Sequence, residues 1–242
     1  VPRFLETLAR ELDIDPLVPK MSYADSAPFR RLKIQRRHEI VTIGRQFNPL
    51  PEDAPSLTPD EWHRWLSSET PPQVLDTRNR YEVEIGTFRG AIDPEIDSFR
   101  EFPEYVERCE LDKDKPVLMF CTGGIRCEKA LHVMKERGFR EVYQLQGGIL
   151  NYLAAHPDGY FDGECFVFDD RVAVDTKLRP TGKYAFCPAC GNPANCPSTC
   201  TVCGSSITVC NKCAPNPRQC VCSRACASAV GERGVSPAEC AD

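Results

Sequence analysis

Val117-Leu118-Met119-Phe120 runs directly into Cys121, and Thr122, Gly123, Gly124 and Ile125 separate that cysteine from Arg126. Four apolar residues, a short loop with two glycines and then a helical pattern read as a buried strand, a tight turn and a helix N-terminus. The backbone N–H groups of Thr122 through Arg126 can turn toward the sulfur, because Gly123 and Gly124 accept the φ values such a cradle requires. The positive end of the following helix and the Arg126 guanidinium also favour the thiolate, settings that lower a cysteine pKa from about 8.5 to roughly 3.5–7.5. Cys121 is therefore the expected nucleophile. A structural cysteine at a strand end is the plainer alternative, and the glycines, the arginine and the helix argue together against it.

A second concentration of chemistry lies near the other end of the chain. Of fifteen cysteines, ten fall between Cys187 and Cys226. Such a density means disulfides in an oxidising compartment and metal in a reducing one, and the reactive-thiol loop favours metal. Cys187-Pro188-Ala189-Cys190-Gly191 and Cys200-Thr201-Val202-Cys203-Gly204 share one form, a knuckle that points two thiolates at one ion. Pairing these two knuckles gives one Cys₄ zinc site, and Cys210 and Cys213 with Cys222 and Cys226 give a second. A crossed pairing, in which the first and third cysteine pairs share an ion, uses the same eight residues and stays open. A closed Cys₄ shell leaves no position for substrate, so zinc here is expected to be structural.

The elements that must position Cys121 are legible in outline. Thr58-Pro59-Asp60-Glu61 is a capping box with Pro at the first helical position, ahead of Trp62, Trp65 and Leu66. Gln73-Val74-Leu75 is a short buried strand, and Asn79 opens a short helix that Gly86 stops. Phe99, Phe102, Tyr105 and Val106 suit an amphipathic helix. After the Cys121 loop come a helix with Leu131, Val133 and Met134, the strand Val142–Leu145, and a final helix opened by Gln146-Gly147-Gly148. Alternating strands and helices predict an α/β fold, a parallel sheet with helices on both faces. Cys121 then stands at the carboxyl end of a central strand, where open sheets of this kind place their ligands.

At the N-terminal end, Phe4, Leu5, Leu8 and Leu12 predict a helix, and Arg31–Gln35 and Val41–Ile43 predict two strands. This is too little for a domain of its own and reads as the end of a small α+β domain. The basic cluster with Arg31, Lys33, Arg36 and Arg37 suits phosphate contacts, or else a charged edge strand. Net charge is −5 overall, with nine Lys/Arg against six Asp/Glu in 1–48, five against three in 181–242, and hence 16 against 26 between them. An acidic body between two mildly basic flanks is compatible with RNA held at its edges.

The string Cys121-Thr122-Gly123-Gly124-Ile125-Arg126 resembles the active-site loop of rhodanese domains, and its extension Cys127-Glu128-Lys129 resembles that of the rhodanese-related tRNA uridine hydroxylases. A similar loop in cysteine phosphatases is one residue longer, and the tighter ring here suits a sulfane sulfur. Leu75-Asp76-Thr77-Arg78 with Tyr81-Glu82 and Ile85-Gly86 resembles the first rhodanese signature, in which Asp76 and Arg78 brace the loop; a buried ion pair is the simpler reading of the two. Gly86-Thr87 departs from the Gly-His common at that point. The resemblance implies a rhodanese domain over 49–162 and the end of a ferredoxin-like domain over 1–48, and the cysteine spacing makes 163–242 a Cys-rich tail expected to bind zinc. The resemblance also implies oxygen-dependent hydroxylation of wobble uridine to 5-hydroxyuridine, with tRNA as partner. Cys127 can serve as a resolving thiol for Cys121 or as a packed core thiol.

Two further readings stand beside this one: a sulfurtransferase that carries sulfur from a small donor through a Cys121 persulfide, and an inactive rhodanese body with a zinc interaction module. Intact Cys121 and Arg126 count against the latter. No glycine-rich dinucleotide or flavin fingerprint precedes a helix, and His38, His63, His132 and His156 are too scattered for a two-His-one-carboxylate iron site. No apolar run approaches the ~18–20 residues of a membrane span. Nothing in the pattern specifies an oligomeric state. The expected compartment is the cytoplasm, or an organelle if a targeting segment precedes Val1.

Overall fold

The computed structural model describes residues 2–15, 24–25, 27–29, 31, 35, 37, 39–44 and 55–233. The apolar spacing at the start forms α1 (Pro2–Leu12), which ends at Asp13 with φ 51°. The expected strand at Val41–Ile43 is not a strand: Ile43 is buried in the body's core, and the Val41 carbonyl accepts a hydrogen bond from the Lys129 ammonium instead of from a neighbouring strand. Of the other expected strand, Leu32, Lys33 and Ile34 lie outside the described residues.

From β1 (Ser56–Leu57) the alternation follows the apolar pattern. α2 (Pro59–Leu66) is closed at its start by the capping box, with the Thr58 N–H donating to the Glu61 carboxylate at 2.8 Å. Then come β2 (Gln73–Asp76), α3 (Arg80–Val83), β3 (Gly86–Phe88), α4 (Phe102–Arg108), β4 (Val117–Phe120), α5 (Ile125–Glu136), β5 (Val142–Leu145) and α6 (Gly148–Ala155). β1, β5, β4 and β2 form, in that order, a fully parallel sheet.

β4 is buried on both faces, which is why it reads as a continuous apolar run. Side chains on a strand alternate between faces, and two cores result. Val117 and Met119 pack with α4 and α5 through Phe102, Val106, Leu131 and Met134. Leu118 and Phe120 pack with α2 and α6 through Trp62, Ile149 and Tyr152.

β6 (Phe161–Gly163) pairs with β3, and β7 (Cys165–Phe166) with β8 (Ala173–Val174). Cys165, Val167 and Val174 join the α2–α6 core, so this pair is a side wall of the body. The Cys-rich region follows as β9 (Ala185–Phe186), β10 (Pro193–Ala194), β11 (Cys196–Thr199), β12 (Ser206–Val209) and α7 (Arg224–Arg233). Among the described residues no helix is long and apolar enough to cross a membrane.

Candidate active site

Cys121 follows the last residue of β4 and is 2% exposed. Gly124, at φ 87°, turns the chain so that its N–H donates to the Cys121 sulfur at 3.1 Å. The N–H groups of Arg126 and Cys127 at the start of α5 lie near enough to favour the charged sulfur. Of the run expected from Thr122 through Arg126, Gly124 makes the hydrogen bond to the sulfur, and the start of α5 adds its electrostatic influence. Burial by itself would push the Cys121 thiol up. The Cys127 thiol donating to it, the Arg126 charge and the N–H groups outweigh burial and hold Cys121 well below the ordinary thiol range. Cys127 moves the opposite way, raised by burial and by donating to Cys121; it is wholly buried, 3.6 Å from the Thr77 hydroxyl.

The Arg126 side chain does not stand free over the loop. It makes a two-pronged pair with the buried carboxylate of Glu82 on α3, Nη2 to Oε2 at 2.7 Å. Burial lowers an arginine's affinity for its proton, but Glu82 overrides that and keeps Arg126 charged. Glu82 also accepts from the Thr122 hydroxyl and from the Asn79 N–H. One carboxylate therefore ties the start of α3, the loop and the start of α5 together.

Asp76 and Arg78 form a second pair with no exposed side-chain surface, 2.6 Å between Nη2 and Oδ2. Arg78 further donates to the Gly86 carbonyl at 2.7 Å, and the Thr87 hydroxyl donates to Asp76 at 2.8 Å. Thr87 thus closes the network around β2. On the other side of the loop, Ile149 and Leu150 at the start of α6 donate their N–H groups to the Cys121 and Thr122 carbonyls. A Cβ at Gly148 would lie 2.5 Å from the Cys121 oxygen, so only glycine permits this approach.

Above the sulfur opens a cavity of about 1060 Å³. Cys121, Thr122, Gly123, Ile125 and Arg126 form its floor, with Phe168, Asp169 and Arg171 on one wall and Ile40, Val41 and Thr42 on another. Of the expected RNA contacts, Arg31 and Arg37 are exposed, with the Arg37 guanidinium donating to Gln35, and neither lines the cavity. Lys33 and Arg36 lie outside the described residues.

The eight expected ligand cysteines gather into two groups, each with its four sulfurs within 4.8 Å of one another. The pairing is the crossed one: Cys187, Cys190, Cys210 and Cys213 in one group, Cys200, Cys203, Cys222 and Cys226 in the other. The sequential pairing fails because β11 and β12 form a hairpin with Cys196 opposite Val209. That register returns Cys210 to the first knuckle and leaves the second knuckle at the far end. Sulfur separations of 3.5 Å within each group compare with the ~3.8 Å of a tetrahedron with metal–sulfur bonds near 2.3 Å. Each group can hold a metal ion.

Residues 58–155 match the family described as rhodanese-like domain, and residues 162–227 match rhodanase C-terminal. Residues 58–155 are a rhodanese-like domain. A tRNA uridine(34) hydroxylase of Bdellovibrio bacteriovorus is 47% identical over 195 residues, covering 80% of this chain and 56% of that protein. One from Teredinibacter turnerae is 50% identical, covering 79% and 60%, and one from Legionella pneumophila is 54% identical over 165 residues, covering 66% and 64%. The chain spans less than two thirds of the length of each of these relatives.

Within the rhodanese-like domain, Glu82, Thr87 and Lys129 join the site without having been singled out for it from the sequence. The Lys129 ammonium bonds Glu39 at 3.0 Å and the Val41 carbonyl at 2.6 Å, fastening residues 39–42 to α5 as a cavity wall. Its place on α5 one turn after Ile125, the residue that opens the helix, was the available signal.

Proposed function

We propose that this chain is the catalytic part of a tRNA uridine hydroxylase that acts on the wobble uridine, with Cys121 as nucleophile. The observation that carries this is a buried cysteine sulfur that accepts the Gly124 N–H at the start of α5 and lines a cavity far larger than a sulfur donor needs. The names of relatives about half identical to the chain supply the substrate.

C6 of uracil is electrophilic through its conjugation with the C4 carbonyl. Addition of the thiolate forms an S–C6 bond and moves the C5=C6 electron pair onto C5 and O4, so that C5 becomes nucleophilic. Once a C5–O bond has formed, loss of the C5 proton and departure of the thiolate restore the ring. The net change of C5–H to C5–OH is a two-electron oxidation. The proposed oxidant is dioxygen, one atom of which enters the product while the other leaves as water with two electrons and two protons from thiols that become a disulfide. The Gly124, Arg126 and Cys127 N–H groups hold the sulfur charge before addition and after departure. Asp76 and Arg78 hold the chain between β2 and β3 through the Glu82 and Gly86 carbonyls and the Thr87 hydroxyl, and reach the loop only through the segment that carries Glu82.

We assign the two crossed thiol groups to structural zinc on their donor set and separation. The basic segment with Arg31, Lys33, Arg36 and Arg37 is the proposed phosphate contact, since it leads into the cavity wall at Ile40.

Sulfur transfer is the second reading. The same N–H cradle would suit the terminal sulfur of a Cys121 persulfide loaded from a small donor. Mass spectrometry of tRNA nucleosides separates the two, in cells lacking the gene and complemented with wild type or Cys121→Ser. Recovery of 5-hydroxyuridine derivatives with wild type alone is expected. Recovery of 2-thiouridine instead would select sulfur transfer, and full recovery with Cys121→Ser would remove Cys121 from the mechanism.

A further inference from the structure

Phe168 combines two properties: the residue is 60% exposed, and its ring is held between neighbours. It meets the Phe166 ring edge-on at 4.8 Å and 85°, and the Arg126 guanidinium lies 5.8 Å from its centroid. The ring is thereby fixed beside the group that immediately follows the thiolate loop, and it lines the cavity above Cys121.

Exposed apolar surface is concentrated there. Phe29, Ile40, Ile125 and Phe168 are exposed large apolar side chains, and all four line this cavity. Two contacts hold its walls: the Asp170 N–H donates to the Pro28 carbonyl at 3.0 Å, next to Phe29, and Lys129 fastens residues 39–42. A small sulfur-bearing anion would use little of this space and none of these apolar faces. A flat, weakly polar ring that must lie close to a thiolate would use both.

Resting on the reading that Cys121 acts on a uridine, we propose that the cavity receives one base taken out of its stack, and that Phe168 is the ring on which it lies. An enzyme that works on a base in a folded RNA must extrude it, and an aromatic side chain replaces the stacking that the base gives up. A pre-positioned ring does so without ordering a side chain at the moment of binding. Arg126, held by Glu82, fixes the ring on the side of the nucleophile, so base and sulfur share one reference point.

The test is binding of the full chain to a hairpin RNA with an anticodon stem and loop, carrying either uridine or an abasic ribose at the first anticodon position. Wild type should prefer the uridine hairpin by about ten-fold or more, the range that one base–aromatic stack supplies. Phe168→Ala should bind both hairpins alike, with the affinity of wild type for the abasic one, and Phe168→Tyr should restore the preference. A preference kept by Phe168→Ala, or absent from a wild type that binds both hairpins, overturns the base pocket while leaving the tRNA reading intact. A wild type that binds neither hairpin overturns the tRNA reading and this inference with it.

Discussion

Cys127 is the residue through which the ionisation of the Cys121 thiol can be moved without altering Cys121 itself. Its buried thiol donates to the Cys121 sulfur, and this is the foremost of the interactions that outweigh burial. Iodoacetamide should therefore label Cys121 at full rate well below the ~8.5 of an ordinary thiol. Cys127→Ala removes the donor and should raise the inflection of the pH–rate profile; Cys127→Ser keeps a hydroxyl donor and should leave it closer to wild type. An inflection that does not move in Cys127→Ala would show that the helix start alone sustains the thiolate. The Arg126 charge is shared with Glu82, so Glu82→Gln, which leaves Arg126 buried without its counter-charge, should cost about 3–5 kcal/mol in urea unfolding. Cys121 was legible in the sequence because its signal is local: two glycines, an arginine and a helix within a few residues. Glu82 was not, because its partner lies 44 positions away and nothing about a Glu on a four-residue helix announces burial. The exposed ring of Phe168 gave no signal either, since the cavity it lines is assembled by the fold.

At the scale of elements, the junction between the loop and α6 is the tightest point of the site. Gly148 has φ 68°, and a Cβ there would sit 2.5 and 2.6 Å from the Cys121 and Thr122 oxygens. Gly148→Ala should therefore push the loop away from α6, lowering stability by at least the ~1–3 kcal/mol of a strained backbone position and slowing Cys121 labelling. Retained labelling with retained urea midpoint would mean that the loop has room to shift. The strand–helix alternation could be read from the sequence because apolar periodicity is a property of each element alone. The pairing of the cysteines could not, since it depends on the register of a hairpin. The segment around Val41 departs from its strand-like pattern for a related reason: its alternation is real, with Ile43 buried and Ile40 exposed, but its backbone is satisfied by Lys129 rather than by a ladder.

At the scale of the molecule, the body and the Cys-rich region are stabilised by different means. The body has two apolar cores, one on each face of a parallel sheet. The region from β9 onward has small clusters built largely from its own cysteines, too little apolar surface to offset the entropy of ordering so many residues. Metal should supply most of its folding free energy, about 10–16 kcal/mol per site in comparable peptides. Two zinc ions per chain are expected from elemental analysis of protein purified under reducing conditions. A strong chelator should abolish protection from amide hydrogen exchange from β9 onward. The body should keep its protection, because the contacts that reach it from this region include exposed ion pairs such as Lys212 with Asp97, worth little each. Phe168 and Arg171, by contrast, sit between β7 and β8, whose flanking side chains Cys165, Val167 and Val174 belong to the body's core. The cavity should thus survive metal removal, and the pH profile of Cys121 labelling should be the same before and after chelation. Less than one zinc per chain with these cysteines oxidised in pairs would refute the metal assignment, and a labelling profile that collapses with the metal would show that the Cys-rich region holds the active site in shape.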